Sequence, residues 1–312
     1  MVVRDMPQAA SPPALLAPIV EVWEEAVWQA AEAAHRDRLQ PVVDARDAVH
    51  AQFGKDPVLD FLFSYYSLRP SRLLQWTPPP GVLLVGPAAR RFAALEGCVQ
   101  TADGVRVDPT LVPVRRRRAV VWIQELLERT ASRPASYGCH GMHEWAMVYR
   151  SDDIRHSQVP LRMEPAALAA FVEQSTVVCS HWDAFRFFTP AARPLNRLQP
   201  TREGVVDLEQ PGCVHAAMDL YKWAYKMRPW VAAELVADAF LLAVEARRLD
   251  MQASPYDLRS QGIEAIPVET EEGRAVYRAR QRVISEGGVA LRERLIAAYG
   301  WIAQHMGDPE EP

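Results

Sequence analysis

No apolar run in this sequence approaches the roughly 20 residues that a membrane-spanning helix needs, so a helical membrane protein is excluded. The first residues, Met1 to Pro13, mix proline, alanine, serine and both charge signs, without the basic end and apolar core of a secretion signal. They predict a loose end over residues 1–18 of a cytoplasmic protein, with a second loose end at 306–312. Cysteine is scarce. The four present, Cys98, Cys139, Cys179 and Cys213, are widely and unevenly spaced, which is no disulfide framework. Reduced thiols are expected. Positive charge is not in excess: the formal net charge is −4, against a surface coated in phosphate contacts, although a local basic groove stays open. Three signature loops are also missing: the Walker A loop, the dinucleotide glycine fingerprint and the nucleophile elbow. Their absence disfavours nucleoside triphosphatases, Rossmann enzymes and α/β hydrolases.

What is present is globular. The 312 residues are 49% hydrophobic and 24% charged, enough to bury a core without a covalent staple. Ile19 to Leu39 reads as an amphipathic helix, with Val20, Trp23, Val27, Ala30, Ala31 and Ala34 at helical spacing and Pro41 as its stop. Asp56 to Tyr66 reads as a second, capped by Asp56 with Pro57 in its first turn. Val82 to Val85, between two glycines, is a short strand. Arg115 to Arg129 and Glu164 to about Gln174 read as helices, and the β-branched stretch Thr176 to Ser180 as a short buried strand. Helices follow at Cys213 to Met227 and Val231 to Leu249, broken at Pro229. A closing pair is expected at Thr270 to Ser285 and Val289 to His305, parted by Gly287-Gly288. The fold predicted is mainly α, an α-rich α+β arrangement: one compact helical domain over residues 19–305 with a few short central strands.

Chemistry concentrates between Tyr137 and Lys226. Five of the eight histidines, His140, His143, His156, His181 and His215, fall within 76 residues, and three cysteines lie in or beside that window. The Cys213 to Met227 helix places His215, Asp219, Lys222 and Lys226 in an arc of about 60°. Apolar residues flank the stripe on one side and Met218, Tyr221 and Tyr225 on the other. That pattern suits a buried helix lining a polar pocket; the plain alternative is a surface ladder from Asp219 to Lys222. Asp183 and Arg186 sit among Trp182, Phe185, Phe187 and Phe188 and should pair if buried. No recognised metal spacing occurs, since the position four after His143-Glu144 is Met147. Cys139, His140, His143, His181 and His215 nevertheless form a possible thiolate and imidazole set for zinc or iron. Arg115 to Arg118 could be a solvated face or a phosphate contact.

Several segments together resemble a bacterial family known as 3-methyladenine DNA glycosylases. They are Asp60 to Tyr66 with Arg69-Pro70, His143 to Arg150, Arg155 to Arg162, Ser180 to Pro190, Met218 to Lys226 and Leu249 to Leu258. By motif the chain is not of the helix-hairpin-helix type, because Gln210-Pro-Gly-Cys213 lacks the second glycine of that hairpin. The resemblance implies an N-glycosidic hydrolase acting on DNA or a nucleoside, with no cofactor. Such an enzyme holds an extruded base between aromatic rings and faces the sugar cation with a carboxylate. Candidates for the carboxylate are Asp219, Asp183 and Glu144. Ring candidates are Trp145, Tyr149, Trp182, Tyr221 and Trp223, to which an alkylated, cationic purine adds cation–π attraction. Arg186, Arg202 and Lys222 could hold phosphate, and His143, His181 and His215 complete the binding set. The alternatives are a metal-dependent enzyme with Cys, His and Asp ligands, and a non-catalytic protein that binds a small ligand in the same pocket. Convergence of His143, Glu144, His181, Asp183, His215 and Asp219 in one cavity is the structural expectation.

Overall fold

The computed structural model describes residues 18–151 and 159–308. The fold is mainly α with one small sheet. In chain order the principal elements are β1 (Glu21–Trp23), α1 (Glu25–Phe53), α2 (Leu59–Tyr65), α3 (Pro70–Leu73), β2 (Val82–Leu84), β3 (Cys98–Gln100), β4 (Val105–Val107) and α4 (Val114–Ala131). They continue with α5 (Met142–Ala146), α6 (Pro165–Gln174), α7 (Trp182–Phe185), α8 (Val205–Leu208), α9 (Val214–Lys226), α10 (Ala233–Ala253) and α11 (Glu271–His305).

Helix α9 is the centre of the bundle. Every residue from Val214 to Tyr221 is buried, and the helix packs against α10 and α11, while α11 also packs on α4. A helix apolar on nearly all sides has no stable place except inside. The sheet, in the order β1-β2-β4-β3, joins β1 to β2 in parallel and the other neighbours antiparallel. It is tied to α1 by Trp28, whose fully buried indole donates to the Val85 carbonyl at 3.0 Å. Trp230 pins the other side by donating to the Asp108 carbonyl at 2.8 Å.

Several boundaries differ from the sequence expectation. Residues 21–23 form a strand rather than the start of a helix, because their backbone pairs with Val82–Leu84. Pro41 does not stop α1, which runs on to Phe53. Proline there removes one helical hydrogen bond, but His35, Leu39 and Val43 continue a single buried face across it, and that burial holds the helix together. Thr176 to Ser180 is not a strand. Val177 makes one isolated bridge to Asn196, whose side chain bonds the Cys179 N–H at 2.7 Å and its carbonyl at 2.8 Å, taking the place of a ladder. The closing helix pair is one helix, unbroken at Gly287-Gly288. The glycines cost roughly 1 kcal/mol each in propensity, but they let α11 lie close to Leu242 of α10 and to Ala217 and Leu220 of α9. Asp56 does cap its helix, accepting from the Val58 and Leu59 N–H groups at 2.8 Å each. The N-terminal expectation over residues 1–17, the segment Arg155 to Gln158 with His156, and residues 309–312 lie outside the described residues.

Candidate functional site

A cleft of about 1420 Å³ opens between α4, α7, α9 and the segment after β2. Its lining is strongly cationic for an acidic chain. Arg72, Arg115, Arg116, Arg186, Arg202, Lys222, Lys226 and Arg228 face Glu96, Asp183, Glu203, Glu209 and Asp219. Trp122, Trp182, Trp223 and Tyr225 supply rings to the walls. Trp122 meets Trp223 edge to face at 5.7 Å, and the Lys222 ammonium lies 4.4 Å from the centre of the Trp223 ring.

Helix α9 supplies the floor. The turn before it, Gln210-Pro211-Gly212-Cys213, is locked in place: Gln210 accepts from the Ser136 N–H at 2.8 Å and Gln281 donates to the Gly212 carbonyl at 2.7 Å. From that start Asp219 and Lys222 emerge one turn apart. The Lys222 ammonium is 3.1 Å from Asp219 and 3.1 Å from Asp183, and Asp183 also pairs with Arg186 at 3.0 Å. Asp219 accepts from the Tyr66 hydroxyl at 2.9 Å. The His181 Nε2 stands 3.6 Å from Asp219 and 3.6 Å from Glu209. All three of these residues are buried.

The two carboxyl groups at that floor are shifted in opposite directions. Burial pushes the Asp219 carboxyl up, but Lys222, His181 and Tyr66 outweigh it and hold the group well below the usual carboxylate range. Burial also pushes Glu209 up, and the neighbouring Asp219 charge adds to the rise against His181, so its carboxyl sits above the usual value. His181 loses by burial and gains more from Asp219 and Glu209, so its imidazole is raised. Lys222, lowered by burial, is raised overall by Asp219 and Asp183. The two neighbouring acids are therefore shifted in opposite directions, Asp219 down and Glu209 up, a separation that acid–base chemistry can use.

Behind the floor lies a second ionic cluster. His143 Nε2 is 2.7 Å from Asp250, and Arg247 bonds Asp250 at 2.9 Å and Glu144 at 2.8 Å, all buried. The His215 ring joins the two clusters: its centre is 4.5 Å from His143 and 5.2 Å from His181. Burial and the His143 charge keep His215 well below its ordinary value, so it stays neutral between them.

His181, Trp182, Asp183, Arg186, Arg202, Asp219, Lys222 and Trp223 line the cleft. Tyr221, His143, Glu144 and His215 do not. Tyr221 is buried against Tyr66 and Phe240, and Glu144 is spent on Arg247. The expected single cavity is thus divided: three of the six residues face the cleft and three stand behind it. Trp145 points into the core, donating to the Ala253 carbonyl at 2.8 Å. Tyr149 donates to Glu173 at 2.8 Å, away from the cleft. His140 sits beside Arg278, and Cys139 beside His143. Glu209, Asp250, Arg247 and Tyr66 are site residues that the sequence analysis passed over. The one signal for Glu209 is an acid placed just before the Pro-Gly turn into the histidine-bearing helix.

Among the described residues, two side-chain groups have donor atoms within 4.8 Å of one another, as a metal ion would need: His181 with Glu209 and Asp219, and His143 with His215 and Asp250. In the first the Lys222 ammonium already bridges to Asp219, and in the second Arg247 already bonds Asp250. A divalent cation would have to displace a cation of the chain itself.

No family model matches the chain, and no solved structure matches it. A stretch of 63 residues, 20% of the chain, is 41% identical to part of a riboflavin kinase from Aeropyrum pernix. The match spans 46% of that kinase, less than half its length. It shows no family for the whole chain. Among the described residues no helix is long and apolar enough to cross a membrane.

Proposed function

We propose that the chain is an N-glycosidic hydrolase of the 3-methyladenine DNA glycosylase kind, releasing an alkylated purine from DNA or from a nucleoside held in the cationic cleft. The observation that carries this reading is the pair of buried carboxyl groups, Asp219 and Glu209, each 3.6 Å from His181 Nε2, the first held below and the second above its ordinary value. Cleavage of a glycosidic bond builds positive charge on the sugar. An ionised Asp219 opposes that charge. Glu209, when protonated, can donate to the departing base, and His181 lies 3.6 Å from each of the two groups. Trp182 and Trp223 offer faces for the base, and an N-alkylated purine, being cationic, gains from stacking on them. Arg115, Arg116 and Arg202 stand at the cleft for phosphate. The family resemblance in the sequence supports the same substrate class.

The test is release of free methylated base from N-methylpurine duplex DNA and, separately, from the methylated nucleoside. The wild type is expected to release base from at least one, and Asp219→Asn to lose about 100-fold or more in rate while keeping the wild-type circular dichroism spectrum. No release from either substrate, or equal rates in the variant, would reject the reading.

A further inference from the structure

Away from the cleft, a second, much smaller pocket of about 10 Å³ is enclosed by Cys139, Cys179, Cys213, His143, Tyr277 and Gln281 among others. We propose that it is a peroxide-reactive site in which Cys139 is oxidised and then cross-linked to Cys179. The inference does not depend on the hydrolase reading.

The geometry is that of an activated nucleophile. Cys139 Sγ is 3.5 Å from His143 Nδ1, and the opposite ring nitrogen of His143 is 2.7 Å from Asp250. Asp250 is itself held by Arg247 at 2.9 Å. Nucleophile, base and orienting carboxylate therefore stand in line. The loop that sets this up depends on Gly141, whose φ of 74° and closeness to Ala253 leave no room for a side chain. Cys179 lines the same pocket, its own thiol donating to the His181 carbonyl at 3.6 Å. The Cys179 side chain and the His143 charge hold the Cys139 thiol well below its ordinary value against the effect of burial. Cys213 lines the pocket as well, and burial pushes its thiol up.

The pocket's size selects the reactant. A volume of about 10 Å³ is about the space of one water, which excludes peptides, esters and nucleotides; a small oxidant reaches Cys139 because that residue is itself partly exposed. The Tyr277 hydroxyl and Gln281 Oε1 are buried and have no hydrogen-bond partner among the described residues. A hydroxyl donor and an amide acceptor suit a peroxide.

The chemistry balances. The Cys139 thiolate attacks one peroxide oxygen; the O–O bond breaks, giving a sulfenic acid and hydroxide, which takes the proton of the His143 imidazolium and leaves as water. The Cys179 thiol then attacks the Cys139 sulfur, the S–S bond forms, the S–O bond breaks, and a second water leaves carrying the Cys179 proton. Two thiols supply two electrons to hydrogen peroxide.

The full reduced chain is treated with one equivalent of hydrogen peroxide, with and without prior chelator, and followed by thiol counting, intact mass and peptide mapping. The expected result is loss of two of the four thiols, a Cys139–Cys179 cross-linked peptide, and reversal by dithiothreitol. Cys179→Ser should instead leave a sulfenic acid on Cys139, read as a one-oxygen gain in intact mass that maps to the Cys139 peptide. Cys98→Ser is the control and should oxidise like wild type, because burial pushes that thiol up to about 12. Mapping of the wild type decides even if Cys139→Ser fails to fold. Retention of all four thiols, a bridge between another pair, or thiols that react only after chelator strips a metal ion would each overturn the proposal.

Discussion

His215 stacks on His181 with ring centres 5.2 Å apart and planes 28° from parallel, so a neutral imidazole stands between the cleft floor and the ionic cluster behind it. On one side lie Asp219 and Glu209, on the other His143, Asp250 and Arg247. A positive charge on His215 would face charged rings on both sides. Its neutrality keeps the two clusters electrically separate while binding them mechanically.

The rate of base release should fall as pH rises above the Glu209 value. Glu209 is raised above its ordinary 4.5, so the proton needed for donation persists to higher pH and is then lost. In Glu209→Gln the basic limb should disappear and the maximal rate drop about 100-fold. A rate profile of wild type and variant checks this; an unchanged basic limb in the variant assigns it to another group.

His35 offers a pH effect on stability at a residue outside the cleft lining. Its ring bonds the Leu73 carbonyl at 2.9 Å, and burial lowers it below 6.5. Between the folded value and 6.5 the unfolded chain binds more protons, so stability falls as pH drops through that window. Urea denaturation at pH 7.5 and at acid pH should show a smaller loss in His35→Gln than in wild type.

Arg247 neutralises both Glu144 and Asp250 inside the protein. Arg247→Met should cost about 3–5 kcal/mol, since it strands buried carboxylates. Adding Glu144→Gln should recover part of that loss. Additive penalties in a double-mutant cycle would show that the pair is not coupled.

Two glycines in α11 should respond in opposite directions. A Cβ at Gly273 would stand 2.0 Å from the Pro267 carbonyl oxygen, so Gly273→Ala should destabilise by about 1–3 kcal/mol. At Gly300 the nearest atom is Gln124 Nε2 at 3.8 Å, and Gly300→Ala should stabilise by about 0.4–1 kcal/mol. Melting temperatures of the two variants decide.

The helical scaffold was legible wherever one periodic face does the packing, as in α4, α9 and α10. The stripe from His215 to Lys222 could be read from spacing alone, because a narrow ionic arc between apolar flanks has few places to go. What stayed hidden depends on contacts between distant segments. Pro41 looked like a stop because the burial that carries α1 past it comes from the rest of the fold. Gly287-Gly288 looked like a break because close approach to α10 and α9 leaves no local trace. Glu209 and Asp250 went unread for the same reason: only the fold brings His181 to the first and His143 to the second.

Helix α9 offers a lesson for anyone who wishes to retarget the cleft. Val214 through Tyr221 have no side turned to water, yet Asp219 hangs from that stretch and Lys222 follows one residue after it. Libraries that vary these positions will mostly return chains that no longer assemble. Diversity belongs on the opposite bank, where Arg115 and Arg202 are exposed and the bundle does not depend on their identity.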